Sequence, residues 1–141
     1  MSAPMLKGLR ALLITADSGN TLGGRVFGLE LPVSEAASMP RKAVVLRLSG
    51  GPGSNDYARI GRVRVDVWCY GQNFSQALEV QQLVQDALKH VKHDEQIVST
   101  VGVLIHNCIE AGGPHNFRDP ETDWPVIIQS WLVTASETVT T

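Results

Sequence analysis

The chain has 141 residues, of which 43% are hydrophobic, which suits one domain with an ordinary core and excludes a chain disordered throughout. A formal net charge of −2 and a pI of about 6.0 argue against tight, sequence-independent binding to nucleic acid, which calls for a more basic surface. Two cysteines, Cys69 and Cys108, are too few for a disulfide scaffold and match no zinc spacing, so both read as small buried side chains. No apolar run approaches the roughly 20 residues needed to cross a bilayer, and Met1 to Ile14 lacks the h-region and cleavage site of a signal peptide. The expected setting is a reducing cytoplasm.

Residues 4–16 read as a first helix, with Met5, Leu9, Leu12 and Leu13 near one face and Lys7 and Arg10 away from it. Turn-forming residues from Ala16 to Gly24 stop it. Arg25 to Leu31 forms a short strand, broken by Gly28 and closed by Pro32. Residues 32–41 hold two prolines and read as loop, with one helical turn around Ser34 to Ala37. Lys42 to Ser49 is a strand in which Val44, Leu46 and Leu48 share a face. Gly50 to Asp56 lacks the Lys-Ser/Thr end of a P-loop and reads as the exposed, flexible tip of a hairpin.

The clearest strand is Ile60 to Tyr70. Val63, Val65, Val67 and Cys69 point one way, and Arg62, Arg64, Asp66 and Trp68 the other. The second set is first a solvated face; the sharper reading is a protein–protein contact, where Trp and Arg are enriched. After Gly71, Asn73 or Ser75 caps a helix running to about Val91. Phe74, Ala77, Leu78, Val84, Ala87, Leu88 and Val91 form its apolar stripe, widened by Val80 and Leu83. Gln76, Glu79, Gln82, Gln85, Asp86 and Lys89 cover most of the rest, so the helix lies across the valine face of the sheet. Residues 97–110 read as one long strand-like run, ended by Ala111 to Pro114. A polar loop, His115 to Asp123, precedes the strand Pro125 to Ala135, in which Ile127, Gln129, Trp131 and Val133 share a face. Ser136 to Thr141 is a polar, frayed tail. This order predicts a single α+β domain over 1–141. A mostly antiparallel sheet carries one long amphipathic helix and a short N-terminal helix.

A search for chemistry finds little. His90 and His93, with Asp94 and Glu95, have a spacing that brings two imidazoles to one helix face. Lys89 and Lys92 flank them, however, and cations at a helix C-terminus are better explained by its dipole. His106 and Cys108 sit two apart in a strand and so share a face, but a catalytic pair also needs a pocket and an orienting group. Arg118, Asp119, Pro120, Glu121 and Asp123 form the densest charged loop. Asp-Pro favours turn initiation there, and nothing marks a carboxylate pair in a buried setting. No catalytic, cofactor-binding or metal-ligating residue is assigned.

The run Arg59 to Trp68, then Gly71 and the helix from Ser75 through Leu88, resembles the central part of the tail-completion proteins of long-tailed phages. These are the tail terminator and tail-to-head joining proteins. Phe117 to Pro125 and the apolar strand after it are similar to that family's closing hairpin. The first helix, followed by Gly24 to Phe27 and a Pro-containing stretch, resembles its opening. The resemblance spans most of residues 5–135. It implies a structural virion protein of α+β fold, assembled in the host cytoplasm as a homo-oligomeric ring, commonly a hexamer. Such a ring caps the tail tube, meets the major tail tube protein and the head-completion or connector protein, and lets genome DNA pass without specific binding. It implies no cofactor and no membrane. A closed ring needs two different patches that meet around the circle. The residues expected at such contacts are Arg62, Arg64, Asp66, Trp68, Arg118, Asp119 and Trp124. Another connector or tail-tube ring component, and a small enzyme or ligand-binding domain built on His106, Cys108 and the 115–123 loop, are the competing readings.

Overall fold

A computed structural model describes residues 2–17, 19, 22–28, 35, 37, 39–48, 53–55, 60–89, 94–98, 101–120 and 122–139. The elements in chain order are α1 (Ser2–Ala16), β1 (Val26–Gly28), β2 (Ala43–Leu48), β3 (Gly53–Asn55), β4 (Ile60–Tyr70), α2 (Phe74–Lys89), β5 (Asp94–Val98), β6 (Val101–Glu110), β7 (His115–Arg118) and β8 (Pro125–Val139). One sheet contains every strand in the order β1-β2-β4-β8-β6-β5, with β3 paired to β4 and β7 paired to β8. Only β1 and β2 run parallel; the remaining ladders are antiparallel, as the α+β reading expects.

The period of two in β4 decides how the layers stack. Val65, Val67 and Cys69 are buried on one face, where they join Val44 and Leu46 of β2 and Trp131, Val133 and Ala135 of β8. Both helices cover this inner face: α1 contributes Leu6, Leu9, Leu12 and Leu13, and α2 contributes Val80, Val84 and Leu88. Asn73 is the residue that caps α2, its side-chain oxygen accepting from the Gln76 N–H at 2.9 Å, while Gln76 returns to the Gln72 N–H at 3.0 Å. The approach into that cap is tight. A Cβ on Gly71 would sit 2.6 Å from the Ala77 nitrogen, so only glycine fits. Hydrogen bonds from Arg10 Nε to the Val26 carbonyl (2.6 Å) and from Arg25 Nε to the Lys42 carbonyl (2.7 Å) tie α1, β1 and β2 together.

Several segments differ from the sequence reading, each for a non-local reason. Gly53–Asn55, expected as loop, is a strand because β2 pairs only residues 65–70 of β4 and leaves the edge at 60–62 open. The long run 97–110 is two strands, with Val98 opposite Val101. The two positions between them are Ser and Thr, which lack the Asn-Gly type of signal that announces such a hairpin. His115–Arg118 pairs with β8 as a continuation of the edge that β6 occupies. β8 itself runs to Val139 rather than ending at Ala135, because Ile60 on one side and Val101 to Leu104 on the other pair with its polar end. Leu78, placed on the apolar stripe of α2, is instead 44% exposed. Arg25 lies outside β1, and residues 29–31 of the expected first strand lie outside the described residues, as do positions 34 and 36 of the expected turn, His90, Val91 and His93.

Candidate functional site

The outer face of the sheet carries neither helix, and it divides into two halves. At one end Ala43, Val45, Tyr70, Val126 and Ile128 form a second buried cluster, with Phe27, Met39, Trp68, Phe117 and Trp124 packed on it. The rings meet edge to face: Trp68 on Phe117 at 5.7 Å and Tyr70 on Trp124 at 6.2 Å between centroids. The Arg47 guanidinium lies 4.2 Å from the centre of the Trp68 ring. Burial pushes the Tyr70 phenol above its ordinary pKa, which Arg47 opposes and Asp119 reinforces.

Beyond this cluster the face becomes polar. Asp66 stands opposite Arg47 on β2 and Ser130 on β8, and the Ser130 hydroxyl donates to its carboxylate. The next row is Arg64, Leu132 and Ile109, and the row after that is Arg62, Thr134 and Asn107. Arg62 and Arg64 are exposed, and Ile109 is 55% exposed, the highest value among the described large hydrophobic residues.

The residues expected at contacts therefore fall into two groups. Arg62, Arg64 and Asp66 lie in the polar half of the outer face. Trp68 is drawn into the aromatic cluster, so much of its surface is used within the chain. Arg118, Asp119 and Trp124 lie together at the far end of the sheet, in the turn that joins β7 to β8. Asp119 N–H donates to the Trp124 carbonyl at 3.0 Å, and Asp123 N–H to the Asp119 carbonyl at 2.7 Å. Asp123 takes a positive φ of 60°, which a short polar side chain tolerates. Arg118 donates to the Asp123 carbonyl at 3.1 Å, and its guanidinium sits 5.2 Å from the Phe74 ring centre. Trp131, which the alternation places on one face with Ile127, Gln129 and Val133, is 1% exposed and belongs to the inner core.

The His106–Cys108 pairing does not form. The register of β6 shifts between Ile105 and Asn107, so Ile105 and Cys108 both face the inner core although they are three apart. His106 turns to the other face, where its Nε2 lies 3.0 Å from the Ser136 hydroxyl. Cys69 is fully buried, and burial pushes its thiol pKa far up, which removes it as a nucleophile. Among the described residues, no three His, Cys, Asp or Glu side chains converge where they could hold a metal ion. No helix among them is long and apolar enough to cross a membrane.

Two features had no signal in the sequence. Gln81 and Gln129 are buried and hydrogen-bonded to each other at 2.8 Å; Gln81 also donates to Gln85 at 2.9 Å and Gln129 to the Gly112 carbonyl at 3.2 Å. A buried amide needs such partners, and here they come from three separate parts of the chain. The second feature is an open cleft of about 230 Å³ between the start of α2 and β7, lined by Phe74, Leu78, Pro114, His115, Asn116 and Ile127.

The sequence matches no protein-family model and no curated protein. In three dimensions the chain is similar to a chain from the virion of a native gene transfer agent particle. The TM-score is 0.62 at 14% sequence identity, over 96% of this chain and 99% of that one. The likeness covers nearly all of both chains, and what it establishes is a shared fold.

Proposed function

We propose that this chain is a structural protein of a phage-like virion, and more narrowly that it forms a ring capping the tail tube and joining it to the head connector. The observation that carries this reading is the end-to-end fold likeness to a virion chain, with almost nothing of either chain left over. The sequence resemblance to tail-completion proteins points to the same place through different features. Supporting physical facts are an outer sheet face that neither α1 nor α2 covers, and two charged regions at opposite ends of the β4–β8 ladder. The near-neutral net charge suits a conduit through which DNA slides without sticking. The chain acts through its surfaces and needs no catalytic residue, cofactor or metal. Its partners are further copies of itself, the major tail tube protein and the head-completion protein.

The test is assembly. Native mass spectrometry and negative-stain imaging of the purified chain, alone and with tail-tube protein, are expected to show rings, six-membered by the family resemblance. Absence of rings under both conditions would sink the reading. Another connector or tail-tube ring is the second reading, since the matched chain is described only as part of a virion. Rings that bind the end of finished tail tubes favour the first, and rings that stack into tubes favour the second.

A further inference from the structure

Resting on the ring reading, we infer that the subunit contact pairs two patches of this chain: the Arg62–Arg64 row of one copy receives the acidic β7–β8 turn of the next. The first patch lies on the outer face, away from α1 and α2. Arg64, Leu132 and Ile109 form one row across β4, β8 and β6, and Arg62, Thr134 and Asn107 the adjacent row. Two exposed guanidiniums thus border an apolar ridge whose Ile109 is 55% exposed, the arrangement of an interface centre with a charged rim. The second patch is the β7–β8 turn, where Asp119 and Asp123 are described and the sequence from Arg118 to Asp123 carries three acidic residues against one basic one. Asp123 is exposed, and its carboxylate lies 3.9 Å from the Arg118 guanidinium. Beside it, Pro120 is exposed and Trp124 half-buried, apolar surface to set against Leu132 and Ile109.

The two patches cannot meet within one molecule. Thr134, opposite Arg62, is nine residues along β8 from Pro125, or roughly 30 Å in an extended strand. They are complementary in sign, different in composition and at opposite ends of the β4–β8 ladder. Those are the requirements of a heterologous, head-to-tail contact that closes a ring. A nucleic-acid face is the weaker assignment for the arginines, because Asp66 shares their strand face and the chain as a whole carries −2.

Charge reversal with rescue tests the contact in the full chain. Arg62→Glu with Arg64→Glu removes one half. Glu121→Lys with Asp123→Asn turns the formal charge of Arg118 to Asp123 from −2 to +1 while keeping at residue 123 a side chain that tolerates its positive φ. Each pair alone is expected to raise the apparent dissociation constant of the ring by about a hundredfold or more, with an unchanged thermal melt. Both pairs in one chain are expected to restore rings. Normal assembly of either reversed chain, or no recovery in the combined one, overturns the contact while leaving the ring reading intact. A wild-type chain that forms no rings, alone or with tail-tube protein, overturns both. Reversed chains that assemble normally but lose salt-sensitive retention of duplex DNA reassign the arginines to a nucleic-acid face and likewise overturn it.

Discussion

The two faces of the central sheet share the same strands and differ in almost everything else. On the inner face, β2, β4 and β8 present a surface that is apolar except for the buried Gln129, and both helices close over it. On the outer face, the same strands present a compact aromatic cluster at one end and an open polar field at the other. Strand side chains alternate, so each residue of β4 is one position away from the opposite environment. The inner face is committed to holding the fold. The outer face is only half committed: beyond the aromatic cluster Arg62, Arg64 and Ile109 are exposed.

The sharpest test of this contrast uses neighbouring residues. Val65→Asp, or Leu88→Asp on α2, is expected to abolish the cooperative melt altogether, since each places an unpaired charge among fully buried side chains. Arg64→Asp, one residue from Val65 on the exposed side, is expected to shift the melt by only a few degrees, in line with ordinary surface substitutions. Equal effects would show that the faces are not distinct.

The tryptophans extend the comparison. Trp131→Ala is expected to cost about 3–5 kcal/mol in a urea titration, because the inner core cannot collapse around the space. Trp68→Ala on the outer face is expected to cost roughly 1–3 kcal/mol, the lost packing against Arg47 and Phe117 being partly open to water. Within the inner layer, Gln129→Leu leaves the Gln81 amide short of a buried acceptor and is expected to cost about 1–3 kcal/mol. Adding Gln81→Leu is expected to recover part of that loss, and a double-mutant cycle reads the coupling directly.

Away from both faces the effects shrink. Asn73→Ala is expected to cost about 1 kcal/mol through the lost cap of α2, seen as faster hydrogen exchange in its first turn. The smallest effect is at Glu35, whose carboxyl the Arg41 hydrogen bond holds below the usual range, against some desolvation. A depressed carboxylate pKa adds stability above the unfolded value and loses it as pH falls through the folded one. Arg41→Gln is therefore expected to move the acid-unfolding midpoint slightly upward in pH. An unmoved midpoint would show that the pair is solvated away.

Much of this molecule was legible before any coordinates. The alternation in Ile60–Tyr70 and the three-and-four spacing in Phe74–Lys89 are local patterns, set by strand pleat and helix pitch, and they place Val65, Val67, Val84 and Leu88 in the core without reference to anything else. The division of Arg62, Arg64 and Asp66 from the valines follows from the same period. What the tertiary structure alone decided depends on partners distant in sequence. Gly53–Asn55 becomes a strand because part of β4 lies unpaired, and the polar end of β8 because two neighbours flank it. A one-residue bulge sends His106 and Cys108 to opposite faces, which spacing cannot foresee. Gln81 and Gln129 are buried because each finds the other from 48 residues away. The outer strand face was readable as charged; only the fold showed that Trp68 is withdrawn from it into an aromatic cluster, while Ile109 and Leu132 are brought beside the arginines. Side-chain direction is a local property of the backbone, whereas what a side chain meets is decided by pairing between strands that the chain itself keeps far apart.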